Sequence, residues 1–363
     1  MWPNTKVSKM LKIDYPIIQA PMAGGVTTPE LVAAVSNAGG LGTLGAGYMS
    51  PEQIRATIRE IRKMTERPFA VNLFSPEPID ESPEKIIQMN KYLKHYREQL
   101  GIHSVPDMRK YTESFDEQIG VILDEKVPIF SFTFGIPSSN IIHQLKNKGT
   151  MIIGTATTVR EAILLQENNV DIIVAQGSEA GGHRGTFASP FQNALIGSMA
   201  LVPQIVDHVH IPVIAAGGIM DARGVVASLA LGASGVQMGT AFLTCPESGA
   251  HEKYKEALLN STEESTVITR SLTGKPARGI KNAFIAEMEK FQGDVPDYPI
   301  QHVLTREIRQ SAAKQNRPEW MSMWAGQASR LSTTWPASEL VEQTVADVSR
   351  IIQQLGNSSI QNA

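Results

Sequence analysis

The feature that most constrains this chain is a repeat in which a short apolar run is followed by a segment with apolar residues at helical spacing. Residues 16–22 (PIIQAPM) form the first run, and residues 29–38 (PELVAAVSNA) carry helical spacing after it. Thr28 stands at the N-cap position and Pro29 at the first helical position, where a missing N–H is tolerated. The unit recurs with a run at 41–44 and a helix predicted over 51–64, again opened by Ser50 and Pro51, before the run at 69–74 (FAVNLF). Further runs fall at 127–132, 151–154, 171–175, 211–215 and 235–238, with helices predicted over 138–147, 158–168, 193–208 and 221–231. Alternation of this kind favours parallel strands covered by helices. Eight runs, each followed by a helix, predict a (β/α)8 TIM barrel, with a doubly wound open sheet as the alternative.

Two stretches depart from the rhythm. Residues 75–112 begin with SPEPIDESP and continue into a polar helical stretch at 83–100, which reads as an insertion after the third strand. In a barrel that position lies on the catalytic face, so the insertion is either a lid or pocket wall or a solvated surface helix. Residues 246–363 form a helical elaboration expected to pack over the barrel, with helical patterns at 253–260, 283–289, 300–314 and 338–355 and a polar, frayed tail after Gly356. The whole, 1–363, is expected to be a single domain, because barrels of this length are routinely one unit.

The formal net charge of −3 leaves no basic excess for nucleic acid, which points to a small-molecule role. The single cysteine, Cys245, cannot form an internal disulfide and sits in a loop context unsuited to a nucleophile. No apolar run approaches the roughly 18 residues of a membrane span, and the N-terminus has no signal-peptide core, so a cytoplasmic protein is expected. His208 and His210 fall at the face opposite His183, no cluster has zinc-ligand spacing, and no metal is expected.

Residues 40–45 (GLGTLG) satisfy G-x-G-x-x-G, but they follow a helix and lead into a strand. A dinucleotide fingerprint needs the reverse order, so these glycines are read as serving tight turning and close helix–strand packing.

Barrel chemistry gathers at the carboxyl ends of strands. Those positions hold residues 20–23, Asn72, residues 132–135, residues 176–183, residues 216–218 and residues 237–240. Gly217 and Gly218 follow the seventh run, and Gln237, Met238, Gly239 and Thr240 end the eighth. Glycine lets backbone N–H groups approach an anion, so the two loops together predict a phosphate cradle, against the simpler reading that glycines close the barrel. His183 lies in QGSEAGGHRGT (176–186), flanked by glycines on a loop where little is expected to pack. A base or polar contact is the functional reading, and an ordinary solvent-exposed histidine is the plain one.

Taken together, these motifs resemble the nitronate monooxygenase family, formerly 2-nitropropane dioxygenases, in its class I branch. They are QAPMAGG at 19–25, AGGLGTLGAG at 38–47, VNLF at 71–74, SFTFG at 131–135, GSEAGGHRGTF at 177–187, AAGGIMDARG at 215–224, QMGTAFL at 237–243 and WAGQ at 324–327. The resemblance implies non-covalent FMN, with Pro21, Met22 and Ala23 against the flavin, Asn72 and Gln176 bonded to its ring, and Gly181 in backbone contact. It places the phosphate on Gly218, Gln237, Met238, Gly239 and Thr240, and makes His183 the catalytic residue. The implied reaction oxidises an alkyl nitronate with O2, and His183 would take the α-proton where a neutral nitroalkane is the substrate. Two positions differ from some class I members. Thr133 replaces a second histidine in the SFxFG motif, and a Tyr-x-x-x-Tyr-x-x-x-Lys pattern reads here as Tyr298, His302 and Arg306. These three are candidate substrate residues on one helix face, or else a solvated amphipathic face. An FMN-dependent enoyl-acyl-carrier reductase using NAD(P)H shares the glycine loops and is the alternative enzyme, and a flavin-binding protein is the non-enzyme alternative.

Overall fold

All eight apolar runs are strands, and they close into a ring. The protein is described by a computed structural model covering residues 2–79, 81–104, 106–108 and 111–360. The strands are β1 (Ile17–Gln19), β2 (Gly42–Gly45), β3 (Phe69–Phe74), β4 (Ile129–Thr133), β5 (Met151–Ala156), β6 (Ile172–Gln176), the two-residue β7 (Gly182–His183), β8 (Val213–Ala216) and β9 (Gly235–Met238). All but β7 pair in parallel in the order β1-β9-β8-β6-β5-β4-β3-β2. A parallel bridge between Ile18 and Leu41 joins β1 back to β2. The fold is therefore a (β/α)8 TIM barrel, and the open sheet is excluded.

The alternation of side chains across each strand separates two apolar layers. Ile18, Leu41, Ala70, Ile129, Ile153, Ile172 and Ile214 fill the barrel interior together with Val7 and Leu11 of the helix Lys6–Leu11. That helix lies at the amino ends of the strands, where Gly235 opens β9 against Val7. Phe69, Val71, Leu73, Phe130, Phe132 and Ile173 face outward onto Val35, Ile54, Ile58, Leu165 and Ile205 of the surrounding helices. The predicted caps form as expected. Thr28 accepts from the Leu31 amide ahead of Pro29, and Ser50 builds a reciprocal capping box with Gln53.

The glycines of residues 40–45 serve close packing, as their order suggested. A β-carbon on Gly42 would overlap the backbone of Val32, one on Gly40 would come 2.8 Å from the Ile17 carbonyl, and one on Gly45 would come 2.6 Å from the Ala23 amide. The last contact seats the β1 loop, residues 20–25, against the end of β2.

Several elements differ from expectation. The helical stretch predicted at 83–100 is two helices, Pro83–Tyr92 and Lys94–Gln99. A helix at Phe115–Asp124, capped by Ser114, was not anticipated and supplies the barrel's cover before β4. The helix expected over 193–208 starts only at Ser198, because a 3-10 turn at Phe191–Ala194 precedes it. The C-terminal region is not wholly helical. It contains an antiparallel pair, β10 (Thr266–Thr269) and β11 (Ala277–Ile280), and β11 continues onto β7. The tail expected to fray after Gly356 stays helical through Ile360, and its last three residues lie outside the described ones. A second apolar cluster joins the insertion to the C-terminal helices through Met89, Leu93, Tyr96, Phe284, Ile300 and Leu304.

Gly42→Ala is expected to destabilise the fold by about 1–3 kcal/mol, the range for forcing volume into a packed site. A urea unfolding midpoint no lower than that of the unaltered protein would show that the Val32 backbone yields freely.

Candidate active site

The Gly–His segment is not the loosely packed loop its glycines suggest. Gly182 and His183 pair with Arg278 and Ala277 across β7 and β11. Gln176, the last residue of β6, holds the segment with both ends of its amide, donating to the His183 carbonyl at 3.0 Å and accepting from the Gly185 amide at 2.8 Å. Arg184, 1% exposed, turns inward and donates to the carbonyls of Gly177, Gln176 and Ala194. Beyond it, the buried carboxylate of Glu161 accepts from Phe187 and Ala188 amides at 2.6 and 2.9 Å and from Thr157. These are charge-assisted bonds in a dry setting, where they hold geometry most firmly.

His183 projects from this frame into an aromatic box. Phe134, Tyr298 and Trp324 surround its ring at centroid distances of 5.6, 6.1 and 5.4 Å. Phe134 adopts φ +79°, a conformation that bulky side chains avoid and that packing must enforce. Its ring lies 4.4 Å beneath the Lys275 ammonium. Burial, reinforced by the charges of Lys275 and Arg309, pulls the His183 imidazole down to about 3, so it is neutral at physiological pH. Nε2 lies 2.8 Å from the Thr273 hydroxyl. Lys275 is itself neutralised by Glu77 of the insertion, at 2.6 and 2.9 Å.

Tyr298, His302 and Arg306 do not form one helix face. Tyr298 precedes the helix Ile300–Lys314, whose first residue is Ile300, and reaches the box on its own. His302 enters from that helix and stacks on Tyr48 at 4.4 Å. Arg306 is exposed, and its charge still reaches His302 and Arg309 from the solvent side. The cation that enters is Arg309, one further turn along, which sequence spacing measured from Tyr298 passed over. Arg309 donates to the Thr305 hydroxyl at 3.1 Å and to the carbonyl and Nδ1 of His302 at 3.0 and 3.2 Å. An arginine only donates, so His302 Nδ1 is an acceptor and its proton sits on Nε2. Burial lowers the Arg309 guanidinium to about 10, and no carboxylate pairs with it among the described residues. Burial and the same arginine hold His302 well below its usual value. A second imidazole, His302, thus stands beside Tyr298, at a ring-centroid distance of 6.2 Å.

The remaining candidates ring the same end of the barrel. Pro21, Met22 and Ala23 follow β1, and Asn72 in β3 is buried and donates to the Ser131 hydroxyl at 2.9 Å. Gly181 lies against residues 325 and 326, so tightly that a β-carbon would sit 2.6 Å from the Gly326 amide. Gly217 and Gly218 leave β8 at φ +115° and +71°, backbone that side chains rarely adopt. The amides of Gly217, Gly218 and Gly239 meet no acceptor among the described residues. Gln237, Met238, Gly239 and Thr240 end β9, and the Thr240 hydroxyl accepts from the Gly326 amide at 2.9 Å. Glu179 accepts from the Ser198 amide at 2.8 Å and so caps the helix Ser198–His208, whose N-cap Gly197 has no side chain to do so. Cys245 is buried with its thiol pushed up to about 12, which fits no reactive role. Among the described residues, no helix is long and apolar enough to cross a membrane.

His183 and the unengaged glycine amides lie at the carboxyl ends of the strands, where a barrel enzyme keeps its active site. Residues 4–347 match the family model described as nitronate monooxygenase. A probable nitronate monooxygenase of Staphylococcus aureus (strain MSSA476) is 51% identical over 356 residues, covering 97% of this chain and 99% of its own. One from Staphylococcus saprophyticus is 49% identical over 353 residues, with the same coverage. Among solved structures, a nitroalkane oxidase from Streptomyces ansochromogenes superposes with a TM-score of 0.89 at 38% identity, covering 96% of this chain and 99% of that one. FabK from Thermotoga maritima superposes at 0.78 and 30% identity, covering 98% and 99%. The chain belongs to the nitronate monooxygenase family and is an oxidoreductase.

The depressed imidazoles make stability depend on pH with a definite sign. The unfolded chain takes up a proton at each histidine near the ordinary value of about 6.5, whereas folded His183 resists until about 3. The stability they allow is therefore full above about pH 6.5 and is lost progressively as pH falls toward 3. His183→Asn is expected to make the acid side of a plot of urea midpoint against pH shallower. An unchanged slope would mean that the folded imidazole titrates normally.

Proposed function

We propose that this protein is an FMN-dependent nitronate monooxygenase that oxidises alkyl nitronates of the propionate 3-nitronate type with O2, in a cytoplasmic, detoxifying role. The observation that carries the reading is a pair of neutral imidazoles beside Arg309, a half-buried cation that no carboxylate pairs with among the described residues. Burying an unpaired cation is costly, and an anionic substrate offsets that cost.

The residues present fit FMN. The unengaged amides of Gly217, Gly218 and Gly239, with Gln237, Met238 and Thr240, suit a phosphate. A β-carbon on Gly239 would meet only Ala20, at 3.5 Å, so the cradle stays open there. Pro21, Met22, Ala23 and Gly181 would border the ring. Asn72 and Gln176 each have one side-chain amide hydrogen committed to the protein, to Ser131 and to the His183 carbonyl, which leaves a second for the ring. When bound, FMN supplies the electron chemistry between nitronate and O2.

The protein's own groups bind and orient. Arg309 would hold the substrate carboxylate, with Tyr298 and the Nε2–H of His302 beside it. Phe134 and Trp324 exclude water around His183. For a neutral nitroalkane, His183 would take the α-proton: its lone pair is free across the physiological range, and neutralising the nearby positive charge with a bound anion would raise its basicity toward that range.

The test is to supply FMN-loaded protein with propionate 3-nitronate in air, following O2 uptake and nitrite release, and separately with NADPH under nitrogen. Oxygen uptake that depends on the nitronate is expected. Flavin bleaching by NADPH without nitronate turnover would instead support an enoyl-acyl-carrier reductase, and FMN binding with neither reaction would leave a flavin-binding protein. Arg309→Met is expected to raise KM for propionate 3-nitronate about tenfold or more, equivalent to about 1.4 kcal/mol. It is expected to raise KM for ethyl nitronate, which has no carboxylate, much less. Equal rises for both substrates would remove Arg309 from substrate recognition.

A further inference from the structure

His183 presents two different nitrogens, and the protein treats them differently. Nε2 is 2.8 Å from Thr273 Oγ1, a hydroxyl on the turn between β10 and β11 that is 2% exposed. Nδ1 has no protein partner among the described residues and is not sealed within the packing, so it is the ring nitrogen a ligand can reach. The same Thr273 hydroxyl lies 3.3 Å from the Lys275 carbonyl oxygen, which can only accept. A hydroxyl has one proton to donate. If it is given to Lys275, Thr273 must accept from His183, and the imidazole carries its proton on Nε2. If it is given to His183, the proton moves to Nδ1, that nitrogen can no longer act as a base, and the Lys275 carbonyl loses this donor. The first arrangement satisfies both contacts in a nearly dry corner, where an unmet polar group is expensive.

We infer that Thr273 is a positioning residue that fixes His183 in the Nε2–H tautomer and leaves Nδ1 as the base. This rests on the nitronate monooxygenase reading and adds to it the atom that moves the proton and the residue that holds it ready. The α-C–H bond of a neutral nitroalkane breaks, its electron pair delocalises into the nitro group to give the nitronate, and the proton passes to Nδ1. The resulting imidazolium keeps its Nε2–H on Thr273, whose own proton lies along the bond to Lys275 O. An orienting group behind a catalytic imidazole does the same work in serine hydrolases, where the wrong tautomer is severely damaging. The charges that act on His183 are Lys275 and Arg309, with the neutral His302 nearby, and among the described residues no carboxylate competes for the Nδ1 proton. Glu77 is engaged by Lys275. A substrate that arrives already as a nitronate has no α-proton to lose, so the dependence on Thr273 differs between the two substrate forms.

The experiment combines imidazole nitrogen NMR with kinetics on FMN-loaded protein. Nitrogen-15 labelling of the eight histidines, with His183 assigned by its loss in His183→Asn, reports the tautomer directly. The expected result is Nε2–H in the unaltered protein and in Thr273→Ser, and a tautomer mixture in Thr273→Val. Finding Nδ1–H in the unaltered protein, or the same tautomer in Thr273→Val, would overturn the inference. In kinetics, the ratio of kcat/KM for nitroethane to that for ethyl nitronate is expected to fall about tenfold in Thr273→Val and to recover in Thr273→Ser, within the range general base catalysis contributes. An equal loss on both substrates that serine does not rescue marks a structural role and also overturns it. If the unaltered protein oxidises neither compound, the nitronate reading fails, and the tautomer measurement still decides the role of Thr273.

Discussion

The site depends on a short antiparallel contact: Gly182 and His183 lying against Arg278 and Ala277. It ties a loop of the barrel to a hairpin that comes from outside it. By itself a two-residue pairing is weak, and it persists because both partners are held from behind. Gln176 and Arg184 fasten the barrel side through carbonyls, and Arg278 fastens the hairpin side by donating to the Ser178 carbonyl at 2.9 Å. Once His183 is fixed between them, Thr273 and Lys275 arrive at its ring from the same turn. The proton position and the local charge are thus set by one piece of chain.

Much of the barrel was legible because its signals are local. Most of the strand and helix alternation, the caps at Thr28 and Ser50 and the crowded glycines at 40–45 depend on neighbours in sequence, and these appear where the pattern put them. The hairpin Thr266–Ile280 was not legible. Its strands are short, lack a plain two-residue turn, and gain their stability from pairing with β7 far away in the chain. The helix Phe115–Asp124 was hidden by the irregular insertion before it, although Ser114 and the acidic pair Asp116 and Glu117 form a recognisable helix start.

The site shows the same division. His183, the glycine loops and Asn72 could be picked out as candidates because a barrel fixes where strand ends lie. Arg309 was missed for a geometric reason. A spacing of four from Tyr298 assumes that Tyr298 belongs to the helix, and the helix begins two residues later at Ile300. Counted from His302 instead, the buried face runs through Thr305 to Arg309, and Arg306 falls on the solvent side. Thr273 offered no sequence signal, because a lone threonine acquires meaning only from the ring it touches.

The two cations near His183 are treated unequally, and that difference carries chemical information. Lys275 is nearly sealed, with 11% of its side chain exposed, yet it is paired with Glu77 and rests on the Phe134 ring, so its charge is largely answered within the protein. Among the described residues, Arg309 is answered only by hydroxyls, a carbonyl and an imidazole nitrogen, all of them neutral. Folding that desolvates an arginine and supplies no anion leaves electrostatic free energy available to a ligand that brings one. The same field opposes protonation of His183 and His302, so the charge that attracts an anionic substrate also preserves the lone pairs that meet it. An anion bound at Arg309 would weaken that opposition and raise the basicity of His183 at the moment a substrate is present.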